Sequence, residues 1–328
     1  MLTASPLLAS VVLAVGLVLL VVGSDRLVEG AVRLSARLGL STVVVGVVII
    51  GFGTSLPELL VSLLAAVEGV FDLGVGNIVG SNIANVLLVL GVAALAGPVL
   101  VGRTTLRREV PLSLLGVLAF AWAVQGTLRR TEAVLLALLL VIAIAVLLAL
   151  GRDGTAARAA LDEDTEDTDS GEGGGKRTGT GRELARTFLG LVMTLAGAQA
   201  VVLGGDALAT ALGLSDAFIG LTIVAVGTSL PELAAAVQSV RRGASDLLVG
   251  NILGSNLFNA LAVGPVVVWT GASLGRLVTP ELAGRATLLM VIAVVAVSAL
   301  LMRRRVDRIT GGVLVLAYAA SVAVMATA

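Results

Sequence analysis

Gly53-Thr54-Ser55-Leu56-Pro57-Glu58-Leu59 recurs letter for letter as Gly227-Thr228-Ser229-Leu230-Pro231-Glu232-Leu233. At the same offset Asp72, Val75-Gly76-Asn77-Ile78, Gly80-Ser81-Asn82 and Asn85 return as Asp246, Val249-Gly250-Asn251-Ile252, Gly254-Ser255-Asn256 and Asn259. The match reaches back to Gly39-Leu40-Ser41 against Gly213-Leu214-Ser215. A chain that repeats a polar, proline-containing stretch at fixed spacing is a duplication of one structural unit.

The medium of that unit follows from composition. Of 328 residues 57% are hydrophobic and only 13% charged, against roughly a quarter charged in soluble domains. The bilayer is the expected solvent, with room for about ten helices of about 20 residues each. There is no Cys and no His. Disulfides, thiolate chemistry and imidazole ligands are therefore excluded, and buried chemistry must use oxygen. A formal net charge of zero gives no reason to expect a nucleic-acid partner.

Apolar runs predict spans near 6–23, 41–67, 73–97, 110–126, 132–150, 184–204, 215–239, 246–269, 282–302 and 310–327. The first begins without a basic flank and is read as a span, not a signal peptide. Arg33 and Arg37, Arg103, Arg107 and Arg108, Arg241 and Arg242, and Arg303, Arg304, Arg305 and Arg308 fall in alternate loops. The positive-inside rule puts those loops in the cytoplasm and both termini outside a cell membrane. The opposite loops hold Arg129, Arg130, Arg276 and Arg285, and Trp122 and Trp269 mark the outer ends of their spans. The expected organisation is all-α: a five-helix repeat over 1–150, an acidic cytoplasmic linker over 151–183, and a second repeat over 184–328. The linker follows an odd number of spans, so the second repeat is inverted, a recurring transporter design. Its run Asp162-Glu163-Asp164-Thr165-Glu166-Asp167-Thr168-Asp169 has the composition of a disordered tether. It lacks the spaced ligands and turn glycine of a calcium loop.

Inside the repeated motif, Glu58 and Glu232 lie deep in apolar spans, where a carboxylate needs a partner. Pro57 and Pro231 each remove a helical N–H and kink the chain, freeing a carbonyl. Thr54 and Glu58 share a helix face with Gly51 and Ser55; Thr228 and Glu232 do so with Ala225 and Ser229. Ser81 and Asn85, and Ser255 and Asn259, share faces in the next helix of each half. Together they predict an all-oxygen cage carrying two negative charges, suited to hard cations such as Ca2+ or Na+. Gly76 with Gly80, and Gly250 with Gly254, have the spacing of close helix packing. Asp25 and Asp206 read as interfacial, and Asp72 and Asp246 as helix caps.

At these residues the sequence resembles the calcium/cation antiporter superfamily, which includes the sodium/calcium exchangers. The signature regions correspond to Gly53 to Gly91 and Gly227 to Gly264, and the likeness spans both motifs, the ten-span layout and the central loop. The resemblance implies that Glu58 and Glu232 ligate calcium with backbone carbonyls near Thr54 and Thr228. It also implies that Ser55, Ser81, Asn85, Ser229, Ser255 and Asn259 line sodium positions. Asn259 is a departure, because some branches of the superfamily carry Asp there. The expected activity is sodium-driven calcium antiport by alternating access, with no bound cofactor and with the transported ions and the lipid bilayer as partners. A proton-driven calcium exchanger is the alternative within the class. A cation channel would more naturally surround a pore with identical subunits, and an intramembrane enzyme would want acid/base groups that the sequence does not group.

Overall fold

The computed structural model describes residues 6–151, 180–212, 227–275, 278–280 and 282–326. The acidic run and most of the linker lie outside the described residues, as do Gly213-Leu214-Ser215 and Ala225. The first half runs α1 Pro6–Leu38, α2 Thr42–Thr54, α3 Leu56–Val67, α4 Phe71–Ala96, β1 Val99–Leu100, α5 Arg103–Arg107, α6 Glu109–Ala123 and α7 Arg130–Leu150. The second runs α8 Thr180–Ala211, α9 Leu230–Arg241, α10 Ser245–Ser273, α11 Leu282–Leu301, β2 Arg305–Val306 and α12 Arg308–Ala326. Among the described residues seven helices are long and apolar enough to cross a membrane, or eight counting the pair α2 and α3, bent by 45°, as one span. The architecture is the expected all-α, two-repeat membrane bundle.

Two of the predicted spans are much longer than their apolar cores. The runs near 6–23 and 184–204 become helices of 33 and 32 residues, because the more polar segments beside them contain no Pro and keep helical periodicity, in α8 even across Gly204-Gly205. α1 and α8 pack antiparallel along their length through glycines seven residues apart: Gly16, Gly23 and Gly30 on α1, and Gly190, Gly197 and Gly204 on α8. A Cβ at Gly23 would lie 2.6 Å from the Thr194 nitrogen, and one at Gly197 would lie 2.4 Å from the Leu20 nitrogen. Only a residue without a side chain permits that approach. Each glycine of α1 is the repeat mate of one on α8, so the contact is self-complementary, as a two-fold axis requires.

A second glycine contact holds α2 to α10. A Cβ at Gly250 would lie 2.3 Å from the Val43 carbonyl, and one at Gly254 would lie 2.6 Å from the Val47 Cα. The expected packing role therefore holds for this pair. It does not hold for Gly76 and Gly80: among the described residues the only atom within 4 Å of a Cβ there is a Leu282 methyl, 3.9 Å from that of Gly76. The aspartates predicted as caps are not caps either. The N-cap positions are Val70 and Ala244, and Asp72 and Asp246 stand in the first turns of α4 and α10. Asp72 instead accepts the Thr279 N–H at 3.1 Å, fastening the segment ahead of α11.

The two ends of the bundle differ in charge. At one, Asp25 takes a bidentate contact from Arg242 at 2.7 and 2.8 Å, while Glu29 pairs with Arg33 at 3.0 Å and Arg186 at 2.9 Å. Asp25 thus ties α1 to the end of α9, in keeping with an interfacial position. The same end carries a two-residue antiparallel pairing, Val99 with Val306 and Leu100 with Arg305, which joins the two halves. At the other end Arg130 stacks 5.2 Å over Trp269, and Trp122 is exposed in the last turn of α6.

Substituting Gly197 with Leu should force α8 off α1, at the roughly 1–3 kcal/mol typical of overpacking. The expected result is a lower melting temperature in detergent than for Gly284→Leu, whose surroundings are open. Equal melting of the two variants would show that the helix pair tolerates separation.

Candidate ion-binding site

The repeated motif forms the break between α2 and α3 and its counterpart ahead of α9. Ser55 and Ser229 adopt nearly the same conformation, φ/ψ of −82/5 and −91/4, and each stands at the N-cap of the helix that carries its glutamate. Pro57 and Pro231 fall in the first turn of the new helix, where a missing N–H costs nothing. Glu58 and Glu232 follow in the same turn, at the positive end of the half-helix dipole. Each break thus delivers one carboxylate to the protein interior, and both glutamates are 1% exposed.

The two carboxylates belong to one site. Glu232 lies within electrostatic reach of Glu58, and Ser55 of the first repeat reaches Glu232 Oε1 at 3.5 Å. The hydroxyls of Thr54 and Ser255 also lie against the Glu232 carboxylate. Thr54 Oγ1 donates to the Ile50 carbonyl at 3.0 Å, and Ser255 Oγ donates to the Gly51 carbonyl at 3.3 Å. Each hydroxyl carries one proton and two lone pairs, so it can bond a carbonyl or carboxylate and still offer oxygen to a cation. Glu58 Oε2 and Glu232 Oε2 are buried without a hydrogen-bond partner among the described residues.

Asn85 and Asn259 stand where α4 and α10 change to π-helical turns, Asn85–Val89 and Asn259–Val263, a local widening common at functional sites. Asn85 donates to Asn256 Oδ1 at 3.1 Å, so its own carbonyl oxygen stays buried and unpartnered. Asn259 is fully buried and neither of its amide atoms has a partner among the described residues. Ser81 and Ser229 are buried near the same level, whereas Thr228 is half-buried. Among the described residues no hydrogen bond ties these three side chains to either carboxylate. The structure therefore brings Thr54, Ser55 and Ser255 against Glu232, with Glu58 within its electrostatic reach.

Four polar residues near this centre were not among the expected ligands. Asn251 Oδ1 lies 3.3 Å from Thr54 Oγ1. Asn77 donates to the Glu58 carbonyl at 3.1 Å and to Ser62 Oγ at 3.0 Å. Asn256 donates to the Asn82 carbonyl at 3.4 Å, and Asn82 reaches Met290 Sδ at 3.5 Å. The signal was present in the repeat itself: Asn77 and Asn251 are four residues before Ser81 and Ser255 and share their helix face. The halves also differ here. Ser62, which holds Asn77, has Ala236 as its repeat mate, and Asn251 is buried while Asn77 is only partly so.

Comparison with known proteins agrees with this architecture. The family described as sodium/calcium exchanger protein matches residues 8–149 and 183–327. CaxA of Alkalimonas amylolytica is 36% identical over 322 residues, covering 95% of this chain and 97% of its own. The inner membrane protein YrbG of Escherichia coli is 37% identical over 260 residues, 78% of each chain. Among solved structures, the sodium-calcium exchanger NCX_Mj soaked with 10 mM Na+ and zero Ca2+ superposes with a TM-score of 0.81 at 28% identity, over 97% of this chain and 99% of the other. With both signature motifs, the two-repeat bundle and the buried glutamate pair in common view, the chain belongs to the sodium/calcium exchanger family of membrane antiporters.

Proposed function

We propose that the chain exchanges Ca2+ for Na+ by alternating access, with Glu58 and Glu232 as joint ligands at the middle of the membrane. The observation that carries this reading is the contact between repeats at the site, where Ser55 of one half meets Glu232 of the other and each glutamate keeps a buried, unpartnered oxygen. Two carboxylates, flanking hydroxyls and asparagine carbonyls form a hard, all-oxygen donor set of charge near −2, which a single divalent ion or more than one monovalent ion can neutralise. Mutually exclusive neutralisation of one site is what couples the two fluxes. Thr54, Ser55, Ser81 and Asn85 with Thr228, Ser229, Ser255 and Asn259 supply the neutral oxygens that Na+ needs beside a charge. The relative NCX_Mj is named a sodium-calcium exchanger, which supports the choice of ions.

In this reading residues 1–150 and 184–328 are the two inverted repeats, 151–183 is a tether between them, and the arginine-rich end carrying β1 and β2 faces the cytoplasm, with both termini outside. The decisive measurement is calcium flux in proteoliposomes with sodium, proton and potassium gradients imposed one at a time. Flux driven by sodium alone supports the proposal; flux driven by protons alone overturns its choice of coupling ion.

Glu58→Gln and Glu232→Gln should each reduce calcium flux by about two orders of magnitude or more, the scale of one close charge interaction at an effective dielectric near 20. Wild-type flux in either correctly inserted variant would remove that glutamate from the site. Asn259→Leu should leave the protein as stable as wild type, or more so, in ion-free buffer, since an unpartnered buried amide costs about 1–3 kcal/mol. It should also weaken the sodium dependence of calcium flux. An unchanged sodium dependence would assign Asn259 to structure alone.

A further inference from the structure

Between α6 and α11, at the end that carries β1 and β2, lies a groove of about 580 Å³ that the ion site does not use. Its rim holds three exposed arginines, Arg103, Arg107 and Arg304. Apart from Ser298 its walls are apolar, with Val110 and Leu114 on α6 and Val295 and Ala299 on α11. We propose that this groove seats one anionic phospholipid of the surrounding bilayer, with its phosphate on the three guanidinium groups and an acyl chain between α6 and α11.

Charge is the first argument. None of the three arginines forms a salt bridge among the described residues; Glu109, beside Arg107, is engaged by Arg108 at 2.6 Å, and Asp307, near Arg304, accepts the Thr310 N–H at 2.9 Å. Three unneutralised guanidinium groups at one rim attract an anion able to accept several N–H donors at once, as a phosphate does. The loop is also held in place. Arg304 has φ +61, a left-handed conformation that disfavours a bulky side chain. It is kept there by the Val101 N–H donating to its carbonyl at 3.0 Å and by the pairing of β1 with β2.

The second argument is the gradient of polarity down the groove. Val295 is 44% exposed and lies seven residues from Met302, about 10 Å along a helix. A soluble anion would use only the rim, whereas an amphiphile fills rim and walls together. Topological bias accounts for arginines in such a loop, but it does not call for a cleft beneath them. The lipid would also bridge the repeats, since Arg103 and Arg107 come from the first half and Arg304 from the second.

The test is native mass spectrometry of the full chain in detergent, titrated with phosphatidylglycerol, with phosphatidylcholine of the same acyl chains, or with inorganic phosphate. Phosphatidylglycerol should bind in clear preference to the other two. The variant Arg103→Gln/Arg107→Gln/Arg304→Gln, altered only at exposed positions, should weaken that binding by about fivefold per arginine. Ala299→Trp, which fills the groove and leaves the arginines intact, should abolish the preference, and Arg129→Gln/Arg130→Gln at the opposite end should keep it. Equal retention of phosphatidylcholine, wild-type binding by the triple variant, undiminished binding by Ala299→Trp, or phosphate competing as strongly as the lipid would each overturn the proposal.

Discussion

An ionised carboxylate withdrawn from water must be compensated, and this protein buries two carboxyl groups to 1% exposure within reach of each other. No arginine or lysine is paired with either glutamate among the described residues. The compensation available inside the protein is partial: helix dipoles, hydroxyls and amides. In the proposed reading the remaining compensation is the transported cation, which comes from outside the protein. The surrounding features follow from that constraint, including the helix breaks that deliver the carboxylates, the prolines that tolerate the breaks, and the asparagines that line the adjacent π-helical turns.

Glycine sets the complementary constraint. Around a costly polar centre the bundle must stay closed to lipid, and in a membrane the hydrophobic effect does not press helices together. The chain relies on backbone proximity instead. α2 lies on α10 through Gly250 and Gly254, and α1 lies on α8 through six glycines that map onto one another under the repeat symmetry. The ion pair of Arg186 with Glu29 links the two members of that long helix pair, and Arg242 with Asp25 ties it to the end of α9.

The fold was legible because the repeated motif and the apolar runs are global signals that survive without coordinates. The glutamates were legible for a related reason, since a carboxylate in a span stands out against its background. Asn77 and Asn251 were harder to see: an asparagine four residues from a serine is ordinary, and its role depends on which neighbouring helix faces it. The helical lengths of α1 and α8 were underestimated because hydropathy ends where lipid ends, while helical hydrogen bonding continues past it. The aspartates expected as caps were misplaced by two residues, a distance that propensity does not resolve. The Arg304 turn had no sequence signature, since nothing about an arginine run announces a left-handed backbone.

The partial inequality of the repeats has an evolutionary and conformational meaning. Duplicated sequences begin with identical local preferences, yet Asn251 lies against the Thr54 hydroxyl while its mate Asn77 is held by Ser62 and the Glu58 carbonyl. Thr228 remains in the second half as the mate of Thr54, so the contact that Asn251 makes has a written counterpart that Asn77 does not use. The two copies of one motif thus hold their asparagines differently, and Ser62, whose repeat mate is Ala236, is a residue difference that accompanies it.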